Sequence, residues 1–212
     1  MSARPEGVEA VVFDLGGVLI DWDPRHLYRK IFVSEEEVDD FLSTVATPEW
    51  HSEQDRGRTL EEATALLLSQ HPGYGPEIKA FYGRWDEMFG GPIEDSVCVL
   101  QDVRERGHPL YALTNWPAEI FPRARKRWDF LSWFDDIVVS GEERATKLDR
   151  EIYDVLVERT GLDPATTVFI DDREPNIRAA EDLGFIALKF EDAAKLRKEL
   201  VQLGVLNGHS GA

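Results

Sequence analysis

Two groups of acidic residues in this 212-residue chain follow short apolar stretches. Asp14 comes directly after VEAVVF and is followed by Gly16 and Gly17, and Asp171-Asp172 come directly after VFI. A carboxylate beside glycines could act as a nucleophile, and neighbouring carboxylates offer hard oxygen ligands for a divalent cation. The glycines allow backbone groups to come close to an anion or a metal.

Two further positions supply what chemistry on a phosphate group needs. Thr114, followed by Asn115, can donate a hydroxyl hydrogen bond, and Lys147 can neutralise phosphate charge. Taken singly, each residue has an ordinary explanation, since an aspartate after a strand is usually a turn or helix cap and a lone lysine is usually a surface residue. The adjacent carboxylates of Asp171 and Asp172 could equally cap the next helix.

The segments that carry these residues alternate between two patterns. Apolar runs predict β-strands over 8–13, 110–113, 136–139, 168–170 and 185–188. Helical patterns lie over 96–106, 117–127, 150–160 and 175–183, with Gly107 and Gly161 closing the first and the third. Such alternation predicts a parallel α/β sheet, with the ligand beyond the carboxyl ends of its strands.

The stretch over 21–91 departs from this alternation. It contains helical segments over 34–45 and 59–69 but no convincing buried strand. Ser34 with Glu37, and Thr59 with Glu62, match the capping-box spacing and predict two helix starts. We therefore expect a small α-helical insert over 21–91, within a larger unit formed by 1–20 and 92–212.

Composition limits the possible partners. Asp and Glu total 41 against 24 Lys and Arg, so the formal net charge of −17 opposes binding to nucleic acid and to anionic membranes. A small anionic substrate therefore needs local cations at its site. Cys98 is the single cysteine, no apolar run approaches the length of a membrane span, and we expect a cytoplasmic protein. The oligomeric state stays open.

Four sequence motifs carry a family resemblance. VVFDLGGVL at 11–19, LYALTN at 110–115, Lys147 in ATKLDREIY, and VFIDDREPNIRAAEDLG at 168–184 occur in the order found in the haloacid dehalogenase superfamily, which the chain resembles over nearly its whole length. The resemblance implies a Rossmann-like three-layer α/β sandwich with a parallel sheet. It also implies that 21–91 is the small helical cap of subfamily I, while 1–20 and 92–212 form the core. The motifs look most like those of sugar-phosphate phosphatases and of the phosphatase domain of soluble epoxide hydrolase.

The resemblance also implies an activity, which is magnesium-dependent hydrolysis of a small, sugar-phosphate-like monoester through an aspartyl-phosphate. Asp14 would be the nucleophile, with Thr114 and Lys147 as the other catalytic residues. The implied substrate-binding residues are Thr114, Asn115, Lys147, Gly16 and Gly17. The implied magnesium ligands are Asp14, the Gly16 carbonyl and Asp172. Asp171 would either contact these ligands without binding the metal or serve as an alternative ligand.

The chain departs from the family pattern in two places. Family phosphatases carry a second aspartate two residues after the nucleophile, which protonates the leaving group, and this chain has Gly16 there. Three outcomes stay open: a slow enzyme, dependence on a good leaving group, or an acid supplied by the cap, for which the candidates are Asp21, His26, His51 and Asp55. The usual Lys-Pro-Asp is here Lys-Leu-Asp, starting at Lys147.

Two other functions fit the same motifs. A 2-haloacid dehalogenase uses the same aspartate without the second acid and without a metal, although the Asp171-Asp172 pair is better explained by a cation. A catalytically weak binding protein is the third interpretation, and the missing acid is its main support. Magnesium-dependent turnover of a phosphate ester separates the three.

Overall fold

The computed structural model describes residues 7–208, so 1–6 and 209–212 of the predicted core lie outside it. Its seven strands are β1 (Ala10–Phe13), β2 (Ile20–Trp22), β3 (Phe89–Pro92), β4 (Leu110–Thr114), β5 (Asp136–Val139), β6 (Thr167–Asp171) and β7 (Ile186–Lys189). Its α-helices are α1 (Arg25–Tyr28), α2 (Glu35–Thr44), α3 (Pro48–Asp55), α4 (Leu60–Gln70), α5 (Gly75–Gly83), α6 (Glu94–Glu105), α7 (Phe121–Arg127), α8 (Ser140–Glu143), α9 (Arg150–Thr160), α10 (Glu174–Asp182) and α11 (Ala193–Gln202). None of the helices within 7–208 has the length and apolar character that a membrane crossing requires.

Five parallel strands form the main sheet in the order β5-β4-β1-β6-β7. The first strand lies at the centre, and the chain continues outward on one side through β4 and β5 before returning to β6 on the other side. The strand order therefore reverses beside β1, which is where open parallel sheets bind their ligands. The predicted parallel α/β fold is confirmed.

Helices cover both faces of this sheet. Val11 and Phe13 face a core that includes Val99 of α6 and Leu196 of α11, whereas Val12 faces a second core with Ile152 of α9. Successive residues of β1 point to opposite faces, so a strand buried on both sides must be apolar throughout. The three-layer sandwich is confirmed.

The segment between β2 and β3 is helical, as its sequence predicts. Both capping boxes form, since the Glu37 amide donates to Ser34 Oγ and the Glu62 amide donates to Thr59 Oγ1 while each glutamate bonds back to its cap residue. Strands β2 and β3 pair antiparallel at the two ends of this segment. They escape sequence prediction because they are three and four residues long and β3 contains two glycines. The division into cap and core stays a prediction.

One predicted helix begins later than expected. Residues 117–120 form a turn rather than helix, and α7 starts at Phe121 with Pro122 in its first turn. The turn is held against α8, because the Gly141 amide donates to the Trp116 carbonyl at 3.1 Å. A Cβ on Gly141 would lie 2.5 Å from the Ala118 nitrogen, so this close approach requires glycine.

Candidate active site

Asp14 lies directly after the central strand, at the point where the strand order reverses. Its amide donates to the Ile170 carbonyl of β6 at 2.8 Å, which continues the sheet pairing by one residue. Its Oδ1 accepts a hydrogen bond from the Leu15 amide at 2.7 Å, so the side chain has a fixed orientation. The carboxylate is almost completely buried, with 6% of the residue exposed.

Lys147 places a buried positive charge between two carboxylates. Its Nζ lies 2.7 Å from Asp14 Oδ1 and 2.7 Å from Asp171 Oδ2. The backbone is fixed at both ends of the residue, because the Lys147 amide donates to Asn115 Oδ1 at 3.1 Å and Tyr153 Oη donates to the Lys147 carbonyl at 3.0 Å. The ammonium therefore has a defined position without the proline that the family usually has next to it.

These charges shift one another's protonation. Burial raises the pKa of Asp14, and the ammonium of Lys147 opposes that shift. Burial alone would lower the pKa of Lys147, but Asp14 and Asp171 outweigh it, so the lysine pKa is raised. Lys147 is therefore a permanent cation in this site.

The two adjacent aspartates have different surroundings. Asp171 is fully buried, and its oxygens also accept hydrogen bonds from the Arg173 amide at 2.8 Å and from Asn176 Nδ2 at 3.0 and 3.1 Å. Asp172 lies at the cavity wall and packs against Gly17, where a Cβ would lie 2.7 Å from Asp172 Oδ2. Burial and the charge of Asp171 raise the pKa of Asp172. Asp171 therefore pairs with Lys147, whereas Asp172 lies in the wall of the cavity.

The acidic residues fit a divalent cation. Carboxylate oxygens of Asp14, Asp171 and Asp172 lie within 4.8 Å of one another. Both contacts described for Asp14 use Oδ1, so its second oxygen is the one left for a ligand. Clustered carboxylate oxygens are the hard donors that Mg²⁺ prefers, and a cation would relieve their mutual repulsion.

A cavity of about 640 Å³ opens above these residues. Six of the sequence-predicted residues share its wall, namely Asp14, Gly16, Gly17, Asn115, Lys147 and Asp172. The other two, Thr114 and Asp171, are buried at the ends of β4 and β6 with 1% and 0% exposed. The fold therefore brings all eight predicted residues to one edge of the sheet, and the role of each remains a prediction.

The comparisons with known proteins agree with this geometry. A family model described as haloacid dehalogenase-like hydrolase matches residues 8–184. The chain belongs to the haloacid dehalogenase-like hydrolases. The resemblance found in the four motifs is confirmed, and the chain is a hydrolase.

Three relatives of this hydrolase are informative. A sesquiterpene phosphatase from Aspergillus oryzae is 29% identical over 199 residues, covering 92% of this chain and 96% of the relative. A D-ribitol-5-phosphate phosphatase from Bacteroides thetaiotaomicron is 23% identical over 203 residues, covering 91% and 97%. A solved structure of a haloacid dehalogenase family enzyme from the same bacterium, in complex with magnesium and inorganic phosphate, has a TM-score of 0.69 and 25% identity, covering 90% of this chain and 99% of that one.

The sequence did not assign most of the cavity wall of this hydrolase to the site, and His51 entered only as a candidate acid. The cavity wall also contains aromatic side chains from five different elements or loops, namely Trp22, His51, Phe81, Trp85 and Trp116. Trp22 stacks on His51 with ring centroids 5.3 Å apart, and Trp85 lies 5.5 Å from each of them. We call these five residues the aromatic wall. Their positions in the chain gave no common pattern, and only Trp116, directly after Asn115, adjoined a predicted motif.

Proposed function

We propose that this hydrolase is a magnesium-dependent phosphatase that hydrolyses a small phosphate monoester through a phosphorylated Asp14. The observation that carries the proposal is the ion pair of Lys147 with Asp14, because it places a buried nucleophilic carboxylate beside a fixed cation at the carboxyl edge of the sheet. Phosphoryl transfer is catalysed chiefly by positioning and charge stabilisation, and this arrangement supplies both.

Each predicted residue has a role in this proposal. Asp14 attacks phosphorus, and Lys147 stabilises the charge on the phosphoryl oxygens. Thr114 and Asn115, at the end of β4, and the backbone at Gly16 and Gly17 bind the phosphoryl group, with Asn115 also holding the Lys147 backbone. Asp14, the Gly16 carbonyl and Asp172 would hold magnesium, while Asp171 fixes the lysine. The cation, when bound, neutralises phosphate charge in a site that is otherwise acidic.

The chemistry divides into two displacements at phosphorus. In the first, the Asp14 oxygen forms a bond to phosphorus while the ester oxygen leaves with its electron pair and takes up a proton. In the second, water attacks the aspartyl-phosphate, and the bond to Asp14 breaks to return the carboxylate and release inorganic phosphate. The cytoplasmic location inferred from the single cysteine is part of the same proposal.

Magnesium should be required for turnover. We expect the purified protein to release phosphate from nitrophenyl phosphate with magnesium present, and to lose at least about 10²-fold in rate when a chelator removes the cation, because the acidic site then repels the substrate. Phosphate release is measured with and without chelator, and readdition of magnesium should restore it.

The same experiment separates the two alternatives. A dehalogenase would release halide from 2-chloropropionate in chelator and leave phosphate esters intact. A binding protein would do neither and would retain ligand without turnover. Either result would contradict the proposed function.

The aromatic wall bears on the substrate class. The resemblance predicts a sugar-phosphate-like monoester, and one relative is a D-ribitol-5-phosphate phosphatase. Another is a sesquiterpene phosphatase. The indole nitrogens of Trp22, Trp85 and Trp116 are buried and do not reach the cavity surface, so these side chains present ring carbons to it. Apolar ring carbons are poor partners for sugar hydroxyls. We therefore favour an ester whose organic group is apolar.

An apolar ester should be the better substrate. We expect kcat/KM for an isoprenoid or arylalkyl monophosphate to exceed that for a sugar phosphate by at least about ten-fold, since each additional buried methylene contributes about 0.8 kcal/mol. Trp22→Ala should reduce this preference. Trp133→Ala is the matched control, because Trp133 is a partly buried tryptophan that packs under Arg104 and not in the cavity wall. Equal kcat/KM for both ester classes would contradict the apolar assignment.

A further inference from the structure

The proposed chemistry needs a proton donor for the leaving oxygen, and position 16 does not supply one. Gly16 lies in the cavity wall, where a Cβ would meet no atom within 4 Å. The position is therefore open space in which nothing has replaced the family's second carboxylate. A donor must come from another part of the cavity wall.

The sequence offers four titratable candidates in the insert, and the structure excludes three. Asp21 and His26 bond to each other at 3.0 Å and lie outside the cavity wall. His51 belongs to the aromatic wall, and burial lowers its pKa to about 4. Its Nδ1 is engaged with Tyr82 Oη at 3.1 Å. A histidine with so low a pKa is neutral near pH 7, and a neutral imidazole is too weak an acid to protonate a leaving oxygen. Two further carboxylates of the insert line the cavity, but Asp23 and Asp39 are both engaged with Arg25.

Asp55 is the remaining candidate and has a different environment. It is the last residue of α3, it is 7% exposed, and it lines the same cavity as Asp14 and Lys147. Its Oδ1 is buried with no hydrogen-bond partner among residues 7–208. A buried carboxyl oxygen without a partner is costly, and in a cavity wall a catalytic role or a bound ligand explains it.

The neighbouring residues attach Asp55 to the site. Arg56 reaches across from α3 to the loop that carries Lys147, where it donates to Thr146 Oγ1 at 3.0 Å and pairs with Asp149 Oδ2 at 2.6 Å. Gly57 follows in a left-handed conformation with φ of +90°, where a Cβ would lie 2.9 Å from the Arg144 side chain. The end of α3 is thus held against the loop on both sides of Lys147.

The charges around Asp55 suit a proton donor. Burial raises the pKa of Asp55 to about 7, Lys147 and Arg173 lower it, and Asp14 raises it. A carboxyl group with a pKa near neutrality holds its proton in part of the molecules and can give it up readily. This property supports an assignment that already follows from position and from the unpartnered oxygen.

We propose that Asp55 is a catalytic residue that takes the place of the missing carboxylate at position 16, acting as general acid in the first displacement and as general base in the second. The assignment rests on the proposed phosphatase function. It identifies a residue of the insert, rather than of the four motifs, as part of the reacting centre.

The proton balance closes over one cycle. Asp14 attacks phosphorus, the bond from phosphorus to the ester oxygen breaks, and the Asp55 carboxyl donates its proton to that oxygen, so an alcohol leaves. The Asp55 carboxylate then removes a proton from the water that attacks the aspartyl-phosphate. The bond from phosphorus to Asp14 breaks, phosphate leaves, and both side chains return to their starting states.

The variant Asp55→Asn tests the assignment with two esters whose leaving groups differ in their need for a proton. An alkyl phosphate needs a proton on its leaving oxygen, so we expect its turnover to fall by about 10² or more. Nitrophenyl phosphate hardly needs that proton. It should give a burst of about one nitrophenolate per enzyme followed by slow turnover, because the second displacement lacks its base. Trapped aspartyl-phosphate, measured by acid quench and mass spectrometry, should accumulate in the variant.

Two controls keep the result interpretable. Glu53→Gln changes an exposed carboxylate on the same helix and should leave both esters unaffected. Gly16→Asp in the Asp55→Asn background places a carboxylate in the open space at position 16, and it should restore alkyl ester turnover by about ten-fold or more.

The outcomes separate this assignment from the proposed function. A wild-type protein that turns over no phosphate ester and forms no phosphoenzyme contradicts the proposed function itself. An active wild type whose Asp55→Asn variant hydrolyses both esters within two-fold of the wild-type rate contradicts the role of Asp55 alone. If Asp55→Asn does not fold, a series of aryl phosphates is measured on the wild type instead. A rate of phosphoenzyme formation that falls steeply as the leaving phenol becomes more basic shows that no donor acts and overturns the assignment, whereas a rate nearly independent of that basicity supports it.

Discussion

Asp14→Asn should fold normally and lose turnover on every phosphate ester, by on the order of 10⁴ or more. An amide nitrogen or oxygen in place of the carboxylate cannot form the aspartyl-phosphate, and removal of a nucleophile typically costs most of the rate enhancement. The fold should tolerate the change because Lys147 keeps its 2.7 Å contact with Asp171. Replacement of a buried charge by a neutral group of the same shape should change the free energy of unfolding by about 1–2 kcal/mol.

The measurement is the initial rate of phosphate release, with urea unfolding in parallel. Asp182→Asn is the matched control, since Asp182 is an exposed aspartate at the end of α10. A folded Asp14→Asn variant that retains more than about one hundredth of the wild-type rate would show that the nucleophile lies elsewhere. Phosphate covalently bound to the wild type but not to the variant would identify the oxygen that attacks.

The sequence predicted correctly which residues meet at one edge of the sheet, because a parallel sheet leaves few other positions for them. A carboxylate directly after a buried parallel strand must lie at the carboxyl end of the sheet, and β1 and β6 are neighbours there, which brings Asp14 and Asp171 together. Both capping boxes were predicted for the same reason, since they are local patterns whose hydrogen bonds span three residues.

Non-local features were beyond prediction from the sequence. The aromatic wall joins rings from β2, α3 and the loop after β4, so it depends on how the insert packs on the sheet. Asp55 was one of four candidates in the sequence, and only its burial and its unpartnered oxygen distinguish it from Asp21 and His26. Strand and helix periodicity carries no information on such contacts.

Lys147→Met should reduce both activity and stability. Methionine has nearly the volume of lysine without the charge, so the variant loses the cation that stabilises the phosphoryl oxygens, and kcat/KM should fall by about 10³. The same change leaves Asp14 and Asp171 buried without their cation. Removal of one partner from a buried ion pair usually costs about 3–5 kcal/mol in the free energy of unfolding.

The stability loss should depend on pH, when measured in chelator so that no cation replaces the lysine. Burial raises the pKa of Asp14 to about 7 in the folded protein, well above the ordinary value of about 3.9 in the unfolded chain. Lys147 opposes that shift, so its removal raises the folded pKa further. The folded variant therefore binds more protons than its unfolded chain over a wider pH range than the wild type does. As the pH rises above about 7, the free energy of unfolding of the variant continues to fall, whereas that of the wild type no longer changes.

At pH 5.5 the Asp14 carboxyl group is already protonated in the folded wild type, so Asp14 contributes nothing to the stability difference between the two proteins. Its contribution grows as the pH rises through about 7. Urea unfolding of the wild type and of Lys147→Met at pH 5.5 and 8.5 measures this contribution. Lys198→Met, at an exposed lysine of α11, should show the wild-type pH dependence. A Lys147→Met variant with the same deficit at both pH values would mean that lost packing or the unpaired carboxylate of Asp171, rather than that of Asp14, causes the instability. A variant with wild-type activity would remove Lys147 from the phosphoryl-binding site, because methionine has neither a positive charge nor a hydrogen-bond donor to stabilise the charge that develops there.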